Sequence, residues 1–151
     1  MNSVAAGEGR YIFSQVPFTR LLGVRRAFSE HGRARLTIDA QPELGNVIGA
    51  MHGGVVVTLL DVVMASAAVS LFDFARTAVK LNLNTSFLEP GHGALTADGE
   101  VVQHDESMAW CRASVTDAAG RIVARAQGTF RYLPLPSTWS SATPSTEETP
   151  S

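Results

Sequence analysis

The sequence predicts an α+β fold in which a curved, mostly antiparallel sheet wraps around one long buried helix, and three observations lead there. Residues 53–71 form a run of nineteen residues in which Asp61 is the only ionisable side chain. A helix apolar on nearly every side belongs inside a protein. After this run the hydrophobic period changes from helical to alternating and stays so to Leu133. Before it lie two shorter alternating stretches, so the order is two strands, one helix, four strands.

In chain order, residues 1–9 are small and polar and read as a flexible N-terminus. Ser14 to Leu22 has a Ser cap candidate, Pro17 in the first turn, apolar Phe18, Leu21 and Leu22, and a stop at Gly23, which suits a short helix. Strands are predicted over Val24–Phe28 and Gly32–Ala40, joined by a hairpin turn at residues 29–32. In the second, Ala34, Leu36, Ile38 and Ala40 alternate with Arg33, Arg35, Thr37 and Asp39, giving a buried face and a wet one. An irregular link, Glu43 to Met51, leads to the helix. Strands follow over Thr77–Leu88, Ala94–His104, Met108–Thr116 and Ile122–Tyr132, and Asp117 to Gly120 is the clearest hairpin signal. In the last strand Ile122, Ala124, Ala126 and Gly128 share a face whose small side chains leave room for a helix. Residues 10–133 thus form one domain, and 134–151, rich in Pro, Ser and Thr with Trp139 the one large apolar residue, read as a disordered tail. No internal repeat is present.

At 151 residues, 45% apolar and 17% charged, the chain can bury a substantial core. Its formal net charge of −2 gives no general affinity for nucleic acid or anionic membranes, and its arginines are scattered, with Lys80 the single lysine. The apolar run is long enough to count as a membrane-span candidate, but a central Asp is costly in hydrocarbon and no aromatic belt or basic flank accompanies it. One cysteine, Cys111, excludes an internal disulfide, and residues 1–10 lack a signal-peptide pattern, so a cytoplasmic location is expected. Cys111 lies mid-strand in register with Ala109, Ala113 and Val115, the place of a small core residue rather than a nucleophile. The four histidines show no paired spacing, and no metal site is predicted.

The candidate site is built on the helix. At His52-Gly53-Gly54 a backbone without side-chain bulk turns into a helix whose first N–H groups lack intrahelical partners, which suits a polarised oxygen. Eight residues on, Asp61 lies roughly 12 Å along the axis. One small reacting group cannot touch both. Two antiparallel copies of the helix would bring each Asp61 to the other's Gly53, so the spacing predicts a two-fold dimer with two sites. A lone buried Asp can equally be a structural carboxylate held by local donors. Here the same element also offers an oxyanion donor at Gly53, with Asn46 and His52 as polar neighbours. Thioester hydrolysis needs a donor on the carbonyl oxygen and a carboxylate that activates water or attacks directly, strengthened by desolvation in an apolar wall. His52 reads as holding the turn rather than as a base, and Asn46, six residues earlier, can swing its amide towards the same carbonyl.

Asn46, His52-Gly53-Gly54 and Asp61, the strand end Ser86-Phe87-Leu88-Glu89-Pro90, and residues 120–124 with Gly128-Thr129-Phe130 resemble the hotdog-fold acyl-CoA thioesterases, particularly the phenylacetate-pathway (PaaI-like) group that includes hydroxybenzoyl-CoA types. The resemblance covers residues 16–133. It implies a homodimer with joined sheets, usually paired into a homotetramer, an acyl-CoA substrate lying at the subunit interface, and no cofactor beyond the CoA of the substrate. By matching positions, Gly53 N–H and Asn46 would polarise the carbonyl, Asp61 of the partner subunit would be base or nucleophile, and His52 would shape the turn. One departure stands out. Where relatives carry a Ser or Thr that orients water, this chain has Lys80, which can reach a phosphate or substrate carboxylate or be an ordinary strand cation. Met64 and Phe87 are expected pocket walls. Two other readings compete: an acyl-CoA binding or sensing module without turnover, and a hotdog dehydratase or hydratase, which usually pairs a helix carboxylate with a catalytic histidine, whereas His52 stands at the turn rather than across the groove.

Overall fold

The computed structural model describes residues 6–136, so the expectations for residues 1–5 and for the tail beyond residue 136, Trp139 included, lie outside the described residues. Two short helices, α1 (Ala6–Ser14) and α2 (Pro17–Leu22), precede strands β1 (Arg25–Glu30) and β2 (Arg33–Ile38). The central helix α3 (Gly53–Ser70) follows, then β3 (Arg76–Phe87), β4 (Leu95–His104), β5 (Met108–Thr116) and β6 (Ile122–Pro134). The strands form one sheet in the order β1-β2-β4-β5-β6-β3, and every pairing is antiparallel. This is the predicted α+β architecture, with the sheet antiparallel throughout.

Helix α3 is long and apolar enough to cross a membrane, with mean hydropathy 1.9, yet the sheet covers most of it. Leu59, Leu60, Val63, Met64, Ala67 and Ala68 have no exposure. Burying each of the larger ones contributes about 1.5–3 kcal/mol. The close fit depends on missing side chains. A Cβ on Gly99 of β4 would come within 2.9 Å of the Val63 carbonyl oxygen, and one on Gly128 of β6 within 3.3 Å of Met64 Cε. The predicted small face of β6 is the buried one, with Ala124, Ala126 and Gly128 beneath the helix. Tyr132 ends that face by donating its hydroxyl to the Ala68 carbonyl at 2.8 Å.

Turn chemistry agrees with the strand ends. Asp117 Oδ1 accepts from the N–H groups of Ala119 and Arg121, and Gly120 takes φ 81°. His31 and Gly32 both have positive φ, the two-residue hairpin geometry, and Gly32 N–H donates to Ser70 Oγ, tying the hairpin to the end of α3.

The N-terminal expectation is corrected in two respects. Residues 6–9, read as flexible, begin helix α1, and Ser14 closes α1 instead of capping α2. Aromatic and cationic contacts dock α1: Phe13 meets Phe74 edge-on at 5.6 Å, and Arg10 lies 4.4 Å from the same ring. Such contacts leave no periodic apolar signal. In α2 only Leu22 is buried, while Phe18 and Leu21 are exposed, so its apolar residues do not form a core face. Ala40 likewise falls past the end of β2 and is exposed.

Gly99→Ala is expected to cost about 1–3 kcal/mol, because the added methyl overlaps helix backbone rather than a movable side chain. Urea unfolding of the two proteins measures it, and an unchanged midpoint would contradict the close helix–sheet contact.

Candidate active site

The front of α3 is held on both sides by backbone hydrogen bonds. Met51 N–H donates to the Gly91 carbonyl at 2.9 Å and His52 N–H to the Leu44 carbonyl at 2.8 Å. His52 caps the helix: its Nδ1 accepts from Gly54 N–H at 2.8 Å, while its carbonyl accepts from Val55 and Val56. With Nδ1 so engaged, its proton sits on Nε2. His52 therefore shapes the turn, and the nitrogen that a base would need nearby is occupied. Gly53 N–H, between these tethers, has no acceptor among the described residues. The Phe87 ring stands beside it, 3.5 Å from where a Cβ would be.

Asn46 is locked by its own loop. Its Oδ1 accepts from the N–H groups of Ile48 at 3.1 Å and Ala50 at 3.0 Å. Both partners are donors, so the amide orientation is determined and Nδ2 is left as the outward donor. Asn46 and Gly53 line one cleft of about 290 Å³, walled by Ile48, Met51, Phe87 and Val123. The structure thus brings together the two predicted carbonyl donors and the predicted wall Phe87.

Asp61 is not in that cleft. It lies further along α3 on a stripe that the sheet leaves partly uncovered, made by Val57, Thr58, Asp61, Val62 and Ala65 at helical spacing. The sequence reading of a lone carboxylate in an apolar wall is corrected, because Lys80 Nζ lies 3.0 Å from Asp61 Oδ2. Lys80 is directly opposite Phe130 in the β3–β6 ladder. Cross-strand neighbours share a face, and Phe130 is buried under the helix, so Lys80 points the same way. A bulge between Lys80 and Asn82 then shifts the parity of β3, placing Leu83, Thr85 and Phe87 on the helix side. Thr85 Oγ1 is buried there without a partner among the described residues, a polar group that strand counting from Lys80 assigns to the wrong face.

Met64 is also corrected. It has no exposure and packs by Cε against Gly128, so it fills the core and is not a wall of the open cleft. Cys111 is a buried core residue whose burial pushes its thiol up to about 12. A larger hollow of about 700 Å³ lies on the outer face of the sheet among Arg33, Arg35, Asp98, Arg112 and Arg125, and it contains none of the predicted residues. Two ion pairs, Arg35 with Asp98 and Arg112 with Glu100, lie along that face.

Residues 9–132 match the model of a family described as Domain of unknown function (DUF4442). The chain belongs to the DUF4442 family. Two relatives of this DUF4442 protein bear the name "Putative esterase": one from Saccharolobus solfataricus, 30% identical over 76% of this chain and 81% of its own length, and one from Halobacterium salinarum, 32% identical over 74% and 82%. Among solved structures, a thioesterase family protein from Silicibacter pomeroyi superposes with a TM-score of 0.78 at 25% identity, covering 83% of this chain and 96% of that one. The Escherichia coli PaaI protein of the phenylacetic acid degradation operon superposes at 0.76 with 21% identity, covering 85% and 93%, and shows the shared fold. The DUF4442 chain has the hotdog fold of the thioesterase superfamily.

His52→Ala should destabilise this DUF4442 protein by about 0.5–2 kcal/mol, and His52→Asn should recover most of that by capping Gly54 again. Thermal unfolding distinguishes them. Equal losses in both would mean that the cap is not what His52 provides. Cys111 stays protonated at neutral pH, so the native protein should resist iodoacetamide and react only when unfolded. Rapid labelling of the native state would contradict its burial.

Proposed function

We propose that this protein is an acyl-CoA thioesterase, acting as a homodimer in which each site takes its donors from one subunit and its carboxylate from the other. One observation carries the reading: the free Gly53 N–H and the Asn46 amide share a cleft that Asp61 of the same chain does not reach. A second copy supplies the missing group. Strand β3 favours such a copy, since among the described residues it ends the sheet with one edge unpaired, and it exposes Val79 and Leu81. The uncovered α3 stripe beside it is mostly apolar and continues the same surface. Pairing of two β3 edges across a two-fold axis would join the sheets and lay the α3 stripes antiparallel.

The chemistry then follows from the donor set. Gly53 N–H and Asn46 Nδ2 receive the thioester carbonyl oxygen, where negative charge develops on attack. The acyl chain has apolar walls at Ile48, Met51 and Phe87. Asp61 of the partner subunit takes a proton from water as the water oxygen adds to the carbonyl carbon. The C–S bond breaks, and the departing CoA thiolate recovers that proton. Direct attack by the carboxylate, giving an anhydride that water then opens, uses the same atoms. The names borne by the relatives support ester hydrolysis as the class of reaction. A homotetramer built from two such dimers is part of the proposal.

Asp61→Asn should lower kcat at least about 100-fold on a panel of aryl- and acyl-CoA thioesters followed by thiol release. Undiminished hydrolysis, or full activity in a stable monomer by sedimentation, would overturn the two-subunit site. CoA-ester binding without thiol release by the native protein would favour a binding module.

A further inference from the structure

We infer that Lys80 is a positioning residue, which holds the Asp61 carboxylate by one oxygen so that the other faces the reacting atoms. The inference rests on the thioesterase reading and deepens it. Three features carry it. Lys80 Nζ meets Asp61 Oδ2 at 3.0 Å, and no donor among the described residues reaches Oδ1. The ammonium arrives from the opposite wall of the site, on β3, with the strand bulge immediately after it. Lys80 is also the single lysine in a chain with eleven arginines, so the ammonium at this place is not one of many interchangeable surface cations.

The geometry divides the two carboxylate oxygens. Oδ2 is committed to the lysine. Oδ1 remains to accept a proton from water or to attack. Without Lys80, an Asp on a partly uncovered helix stripe would sample several rotamers, of which few present an oxygen to the thioester carbon. A misplacement of about 1 Å in a catalytic group can cost about 100-fold. Holding Oδ2 in place should therefore raise the rate. Lys80 does not touch substrate on this account, in contrast to a lysine that grips a phosphate or an acyl carboxylate.

The account is tested on the full-length protein with Lys80→Met, Lys80→Arg and Asp61→Asn, using the thioesters that the native protein hydrolyses. Lys80→Met keeps the length of the side chain and removes its charge. Its kcat should fall about tenfold or more while KM stays within about twofold, with the sedimentation profile unchanged. Lys80→Arg should recover most of kcat, since a guanidinium can also hold Oδ2. A Lys80→Met protein with equal or higher kcat would overturn the positioning role, and a rise in KM with kcat preserved would place Lys80 on the substrate instead. The Asp61→Asn arm separates the two levels. If Asp61→Asn retains hydrolysis, the thioesterase mechanism fails; if it loses hydrolysis while Lys80→Met does not, only the role of Lys80 fails.

Discussion

Covering α3 is the constraint on which the rest of the structure depends. Eighteen residues of almost continuous apolar helix must be taken out of water, and the six-stranded sheet does this along all but one narrow stripe. Contact at that range requires residues without bulk on the sheet side. Gly99 and Gly128 let the helix backbone and Met64 approach, and Ala124 and Ala126 extend the same shallow track along β6. The wide apolar face also sets the position of everything chemical. The helix start and the uncovered stripe remain open to solvent and substrate, and Gly53 and Asp61 occupy them.

The two polar places are built in different ways. At the helix start, local backbone chemistry suffices: His52 and Asn46 each satisfy neighbouring N–H groups, and what is left over is a donor from each side of the cleft. At Asp61, the arrangement depends on tertiary contact. Its partner, nineteen positions away in the chain, arrives on an edge strand whose ladder with β6 turns that residue towards the helix. An exposed pair of this kind contributes at most about 1 kcal/mol to stability. On the proposed positioning role of Lys80, the value of the pair lies in geometry rather than in stability.

The uncovered stripe of α3 and the free edge of β3 lie together, and apolar Val57, Val62, Ala65, Val79 and Leu81 are among the residues they leave open to water. A long unpaired strand is a hazard to a soluble protein unless something pairs with it. The proposed second copy would account for the strand, the stripe and the distance between Gly53 and Asp61 at once. Among the described residues, no feature of the single chain does so.

Much of this was legible in the sequence, and the division follows the range of the interactions. The long helix and its start, the four strands after it, the small face of β6 and the Asp117 turn all come from period, composition and turn residues, which act over a few positions. The His52 cap lies within one helical turn, so its local geometry could also be anticipated, whereas the loop hydrogen bonds that fix the Asn46 amide could not. Helix α1 was missed because Arg10 and Phe13 bind a distant Phe74 instead of forming an apolar stripe. Met64 looked like a pocket wall because nothing local reveals that Gly128 admits it to the core. Lys80 is the clearest case. Its sequence neighbours leave it equally a contact for a phosphate or substrate carboxylate and an ordinary strand cation, and only the register of β3 on β6, set by contacts between residues some fifty positions apart, turns it onto Asp61.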